Sequence, residues 1–190
     1  MTRFVCGDAG VEFYVSEAPV AVAVVSIPKV IVEKLVERGI DVETYVVDML
    51  AKAVGLDPVA VAEAHLELAL RFLAEGKALA DRDPVQASEK LYKAAEEAVK
   101  ALAIRLNLSE VLRRVEERGR WTAADLEKAV LRSSERLGGW VRQSWDAAWV
   151  LHVWGFHEAR LDVEDVKARV PDVERLVEGA RRVLEGGRSS

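Results

Sequence analysis

The chain has 190 residues, about half of them apolar and nearly a third charged, with a formal net charge of −5 and one cysteine, Cys6. That composition reads as globular, with length enough for one real core. It excludes an internal disulfide, a cysteine-built zinc site and the overall basic signature of a nucleic-acid binder.

Residues 11–26, VEFYVSEAPVAVAVVS, are β-branched and aromatic, and predict one or two short strands with a turn at Glu17–Pro19. IPKVIVEKLVERG follows as a helix, with Pro28 in its first turn and Gly39 as its stop. DVETYVVDMLAKAVG is a second, capped by Asp41 and stopped at Gly55. A strand and two short helices is the order of a ribbon–helix–helix unit, which would read DNA with polar side chains on one strand face. The strand Ala21–Val25 offers no such side chains, and residues 1–58 hold five basic and nine acidic ones. Phosphate repels such an arm, so DNA reading is disfavoured and packing or dimerisation is expected of it. The expected organisation is an N-terminal module over residues 1–57, a helical bundle over 58–186 and a frayed tail at 187–190.

From Asp57 onward every segment predicts helix. Asp57-Pro58 opens one helix, through about Ala80, and Asp83-Pro84 opens the next, through about Leu106. In the latter, Leu91, Ala95, Ala98 and Leu102 form an apolar stripe. Glu89 with Lys93, and Glu96 with Lys100, flank it as i,i+4 pairs. Short helices from Ser109 and from Thr122 follow, the second with the capping box TAAD, and Gly138–Gly139 marks a turn or kink. One helix is expected over Trp140–Leu161, and a last one over LDVEDVKARVPDVERLVEGARRVLEG, broken by Pro171. Short connections imply antiparallel neighbours, hence a mainly α, up-and-down bundle of four to five helices.

The segments QASEKLYKAAEEAVKALA and GFHEARL, together with PKVIVEKLVERGIDVETYVVDML, resemble the PaREP family of archaeal paralogous proteins, within the HEPN class of helical bundles. The resemblance covers most of the chain. It implies a bundle, often a homodimer, from thermophilic archaea; one Asn and two Gln among abundant Arg and Glu suit such a source. It implies no agreed activity. HEPN relatives are either RNA-cleaving toxins and immunity factors, or proteins that bind nucleotides or accompany a small nucleotidyltransferase. The RNA-cleaving members place an Arg, four to six residues, then a His on one late helix. Here those positions hold Trp145, Asp146 and Ala147 before His152, Val150, Leu151 and His152 before His157, and Pro58, Val59 and Ala60 before His65. That motif is absent.

At about 100° per residue, Arg142, Asp146, Val150, Val153, His157 and Arg160 share one side of the Trp-rich helix. Trp145, Trp149, His152 and Phe156 share the adjacent side. The aromatic stripe is expected in the core. His157 and Glu158, with Arg142 and Asp146, are the candidate catalytic group; His152, His157, Arg160 and Trp149 are the candidate ligand-binding group. The competing reading is an i,i+4 Arg142–Asp146 pair beside a capping or surface His157. Five residues apart, His152 and His157 diverge by about 140° on an α-helix, so no metal site is expected. His65, on the stripe Val61, His65, Leu68 and Phe72, reads as a core histidine or an interhelical hydrogen bond. A weak basic zone, residues 105–142, includes Arg113, Arg114, Arg118 and Arg120 beside Trp121, a candidate nucleic-acid face. Glu116 and Glu117 interleave it, which favours a solvated ion-pair surface.

The leading expectation is a non-enzymatic dimeric interaction or nucleotide/RNA-binding module, in a toxin–antitoxin or defence setting. The alternatives are a divergent, metal-independent ribonuclease using His157 with a nearby Arg, and a ribbon–helix–helix-type DNA-binding regulator. No cofactor and no membrane partner are expected. No segment has the apolar run of a membrane helix, and MTRFVCGDAG lacks the order of a signal peptide, so a cytoplasmic location is expected.

Overall fold

A computed structural model describes residues 2–5, 12–15, 21–23 and 25–186. The expected Glu17–Pro19 turn and the 187–190 tail lie outside the described residues. The chain divides into two compact units, residues 1–49 and 50–190.

The first unit holds three short segments, β1 (Thr2–Val5), β2 (Glu12–Val15) and β3 (Ala21–Ala23), paired antiparallel in that order. Helix α1 (Lys29–Val36) follows, and α2 (Val42–Ala53) begins here and runs into the second unit. The Asp41 carboxylate accepts from the Thr44 N–H at 2.9 Å, which satisfies one orphan donor of α2.

The second unit is a helical bundle built on α3 (Pro58–Leu79), α4 (Pro84–Arg105), α6 (Ala123–Leu137), α7 (Trp140–Val150) and α8 (Val163–Gly186), with the shorter α5 (Ser109–Arg118) between α4 and α6. Aspartate caps open the first two. Asp57 accepts from Val59 and Ala60 N–H at 2.9 and 3.1 Å, and Asp83 accepts from Gln86 N–H at 3.0 Å. In both, proline takes the next position, where its missing N–H costs no intrahelical bond. Helix α4 is the axis of the bundle and packs on every other helix of it. Its stripe of Leu91, Ala95, Ala98 and Leu102 is fully buried. Burying four such side chains stabilises the bundle by several kcal/mol, at about 1.5–3 kcal/mol per large aliphatic residue.

Two expectations need correction. Pro171 does not break the last helix, because α8 runs through it to Gly186. Val166 on one side of it and Val173, Leu176 and Val177 on the other are buried in the same core. That packing offsets the roughly 3 kcal/mol that an interior proline costs a helix. Nor does an α-helix run unbroken from Trp140 to Leu161. Helix α7 stops at Val150, and residues Leu151–His157 form a π-helical segment.

Close approaches fix that region. A Cβ on Gly179 of α8 would lie 2.2 Å from the Trp140 ring, so glycine alone lets α7 and α8 meet there. The Trp140 indole N–H donates to the Leu137 carbonyl at 2.8 Å. Among the described residues, no helix is long and apolar enough to cross a membrane.

Candidate functional site

The site grows from the widened turn. In a π-helix the backbone bond runs from residue i to i+5, so one extra residue occupies each turn. Here the Glu158 N–H donates to the Val153 carbonyl at 2.9 Å, and the Arg160 N–H reaches the Trp154 carbonyl at 2.8 Å. Ala159 closes the segment in the left-handed region, at φ 50°, a conformation that strains a residue with a Cβ by roughly 1–2 kcal/mol. Gly155, in the middle of the turn, is pressed on α4: an added Cβ would lie 2.2 Å from Ser88 Oγ. Ser88 in turn donates to the Pro84 carbonyl at 2.7 Å, so its hydroxyl cannot swing aside without losing that bond.

The extra residue changes which side chains meet. On a π-helix, positions five apart lie one above the other, and His152 and His157 do: their Nε2 atoms are 3.2 Å apart. The 140° divergence computed for an α-helix therefore does not hold. His152 stacks on Tyr92 of α4, with ring centroids 4.0 Å apart and planes 23° from parallel. Trp149 lies 5.4 Å from His152, and Trp145 lies 6.3 Å from Trp149. A continuous run of rings thus leads from the fully buried Trp145 to the exposed His157. Trp145 is anchored by its indole N–H, which donates to Glu127 at 2.7 Å. Phe156 flanks His157 at 5.1 Å.

Burial, and then the proximity of His157, push the His152 imidazole down to about 4, so it is neutral at pH 7. Its Nδ1 is buried and has no hydrogen-bond partner. Tyr92 is raised above the usual phenol range by burial and then by Glu96.

The expected candidates separate in space. No hydrogen bond, ion pair or ring contact joins Arg142 or Asp146 to each other or to either histidine, and both are exposed. On the observed backbone the α-helical arc that aligned them with His157 ends at Val150. Arg160 pairs with Glu158 at 3.0 Å on the rim. Trp149 and His152 stay together, half-buried.

The arginine zone is largely structural. Arg114 and Arg118 both pair with Asp125, whose side chain is about 1% exposed, the first at 2.9 Å. Thr122 Oγ1 accepts from the Asp125 N–H at 3.3 Å and donates to the Asp125 carboxylate at 2.6 Å. Burial opposes ionisation there, but the Thr122 and Arg114 hydrogen bonds and the two guanidinium charges hold Asp125 below the ordinary carboxylate range. These arginines lock α5 to α6. Arg113 and Arg120 remain exposed, and Trp121 is half-buried against the core.

A second ionic cluster was legible only in part. The pair Glu96–Lys100 exists at 2.7 Å, but Lys100 is 1% exposed rather than on the surface. It also donates to Glu97 at 2.7 Å, and Glu97 holds His65 Nδ1 of α3 at 2.7 Å. Burial alone would raise Glu97; the Lys100 charge and then the His65 hydrogen bond hold it well below the usual range. Glu96 and Glu97 likewise hold Lys100 charged against its burial. The cluster sits between α3 and α4; His65, Glu97 and Lys100 are buried, and the Glu96 side chain reaches solvent at its edge.

Among the described residues, no three His, Cys, Asp or Glu side chains converge as a metal site. An open depression of about 630 Å³ at the start of α8 is lined by Asp162, Val163, Glu164, Lys167 and Ala168, and by neither histidine of the pair. The residues missed by sequence reasoning are Ser88, Tyr92 and Gly155. Ser88 and Tyr92 are i,i+4 on α4 and meet Gly155 and His152, an i,i+3 pair, so the signal was a matched small-and-aromatic spacing on two distant segments.

The model of the archaeal PaREP1/PaREP8 family matches residues 64–177. The chain is also similar to a Sulfolobus solfataricus protein of known crystal structure. That likeness has 42% identity and a TM-score of 0.52, over 65% of this chain and 95% of that one. A solution structure of the same target is 44% identical, over 65% of this chain and 91% of that one, with a TM-score of 0.49. No curated protein matches the chain.

Proposed function

The chain belongs to the archaeal PaREP1/PaREP8 family, and we propose that it is a non-enzymatic binding module whose π-helical edge takes a planar ligand, a nucleotide or the base of single-stranded RNA. The observation that carries this reading is the direct Nε2–Nε2 approach of His152 and His157 at 3.2 Å. General acid–base cleavage of RNA needs two groups that reach different oxygens of one phosphate. Two imidazole nitrogens turned on each other leave no room for a phosphate between them, and the guanidinium nearest in sequence, Arg160, is paired with Glu158. What the edge offers is ring surface: exposed His157, with half-buried Phe156 and Trp149 beside the pair. A base stacked on such rings gains about 1–3 kcal/mol.

The test is a fluorescence titration of the tryptophans with AMP and with a ten-nucleotide single-stranded RNA, comparing wild type with His157→Ala. Binding weakened about tenfold in the variant, with no cleavage of end-labelled RNA, supports the module. Metal-independent cleavage that disappears in His157→Ala would make the chain a divergent ribonuclease instead, and unchanged binding would remove the ligand from this edge.

A further inference from the structure

We propose that His152 and His157 form a two-imidazole chelate for a divalent transition metal of the nickel–zinc–copper type, held by the two Nε2 atoms. Zinc–imidazole bonds of about 2.0–2.1 Å place two ligand nitrogens of one metal roughly 3 Å apart, and these two lie 3.2 Å apart. On an α-helix that spacing arises from histidines at i,i+4. The π-helical segment produces it at i,i+5, because its extra residue per turn restores the overlap.

In the resting structure the two Nε2 atoms share a hydrogen bond, with the ring centroids 4.4 Å apart and the planes 79° from parallel. A metal takes the place of the shared proton once the exposed His157 ring turns its Nε2 lone pair toward that of His152. His152 is already oriented by the Tyr92 stack, and the backbone between the two ligands is fixed by the Gly155–Ser88 approach. That preorganisation lowers the ordering cost of binding. Nitrogen ligands favour the later first-row ions over magnesium or calcium.

The same structure sets the limits of the site. His152 Nδ1 has no acceptor, so the chelate lacks the outer hydrogen bond that strengthens most histidine ligands. Its affinity is that of an open two-ligand site rather than of a structural zinc. The remaining coordination positions belong to water or to an oxygen of a bound ligand. His65 is no competitor, since Glu97 holds its Nδ1 and it is 1% exposed.

The inference does not rest on the nucleotide reading, and its test contains no nucleotide. Untagged protein is titrated with nickel chloride while tryptophan emission is followed, because the Trp149 ring lies 5.4 Å from His152 and a bound paramagnetic ion quenches it. The stoichiometry is checked by calorimetry. Saturable one-to-one quenching, reversed by EDTA and weakened at least tenfold in His157→Ala, supports the chelate; His157 is exposed, so the variant folds. No saturation up to millimolar nickel, or equal affinity in His157→Ala, overturns it.

Discussion

The bundle uses two kinds of histidine cluster, and they differ in what is left over. His65 is wholly enclosed between α3 and α4, its Nδ1 bonded to Glu97, with Lys100 and Glu96 completing the charge balance. His152 and His157 have each other, an aromatic stack and an open side. The first cluster carries full charges and is buried except at Glu96; the second is uncharged at His152 and faces water at His157. Burial turns ionisable groups into structure when partners match them, whereas a partly covered pair keeps chemistry available. A strongly shifted group is therefore no guide to function by itself: Lys100 and Glu97 are shifted because they hold helices together.

The sharpest way to break that contrast is at the buried cluster. Glu97→Gln leaves Lys100 buried with one fewer charge partner, and is expected to cost about 3–5 kcal/mol. That lowers the midpoint of thermal unfolding by roughly 10 °C for a domain of this size. Replacing His65, Glu97 and Lys100 together with Leu, Leu and Met should recover most of the loss, because apolar groups need no partners. If Glu97→Gln unfolds like wild type, the cluster is not structural.

Gly155→Ala is next. Its Cβ would meet Ser88 Oγ at 2.2 Å, so the helix must shift, at about 1–3 kcal/mol. Histidine ring NMR signals should move with it, since the spacing of the pair depends on this turn. An unchanged histidine spectrum would disconnect the turn from the pair.

The pH dependence separates the clusters further. His152 falls from 6.5 to about 4 on folding, so the unfolded chain binds the extra proton between those values. Stability is therefore full above about 6.5 and declines as pH falls toward 4. For a half-exposed ring, screening reduces the effect to about 1–2 kcal/mol. Glu97, depressed from its ordinary 4.5, contributes in full above that value and loses its share progressively as pH falls from there toward about 2. Thermal unfolding measured from pH 7 to 3 should show both windows, and His152→Phe should flatten the upper one. A flat upper window in wild type would show that His152 is not perturbed.

The smallest change is expected at Ala159→Gly. Relief of the left-handed strain outweighs the entropy of glycine, raising stability by up to about 1 kcal/mol. A loss of stability would mean that the Ala159 methyl packs more than it strains.

Much of this was written locally. The aspartate–proline openings at Asp57 and Asp83, the Thr122 cap and the apolar stripe of α4 are signals spanning at most a few turns, and they placed the helices and the mainly α fold. The family, too, could be read from residues along the chain. What needed the tertiary structure is what depends on distant segments. Pro171 is carried through α8 by the core on both sides of it. Arg114 and Arg118, a basic patch in sequence, are drawn to the buried Asp125 of the next helix. Lys100 looks like half of a surface pair until His65 and Glu97 close over it. The π-helical segment turns on contact between Gly155 and Ser88, 67 positions earlier in the numbering. Helical period and capping are properties of neighbouring residues, so sequence fixes them; the insertion of one residue into a turn, and the pairing of buried charges, are decided only when separate helices meet.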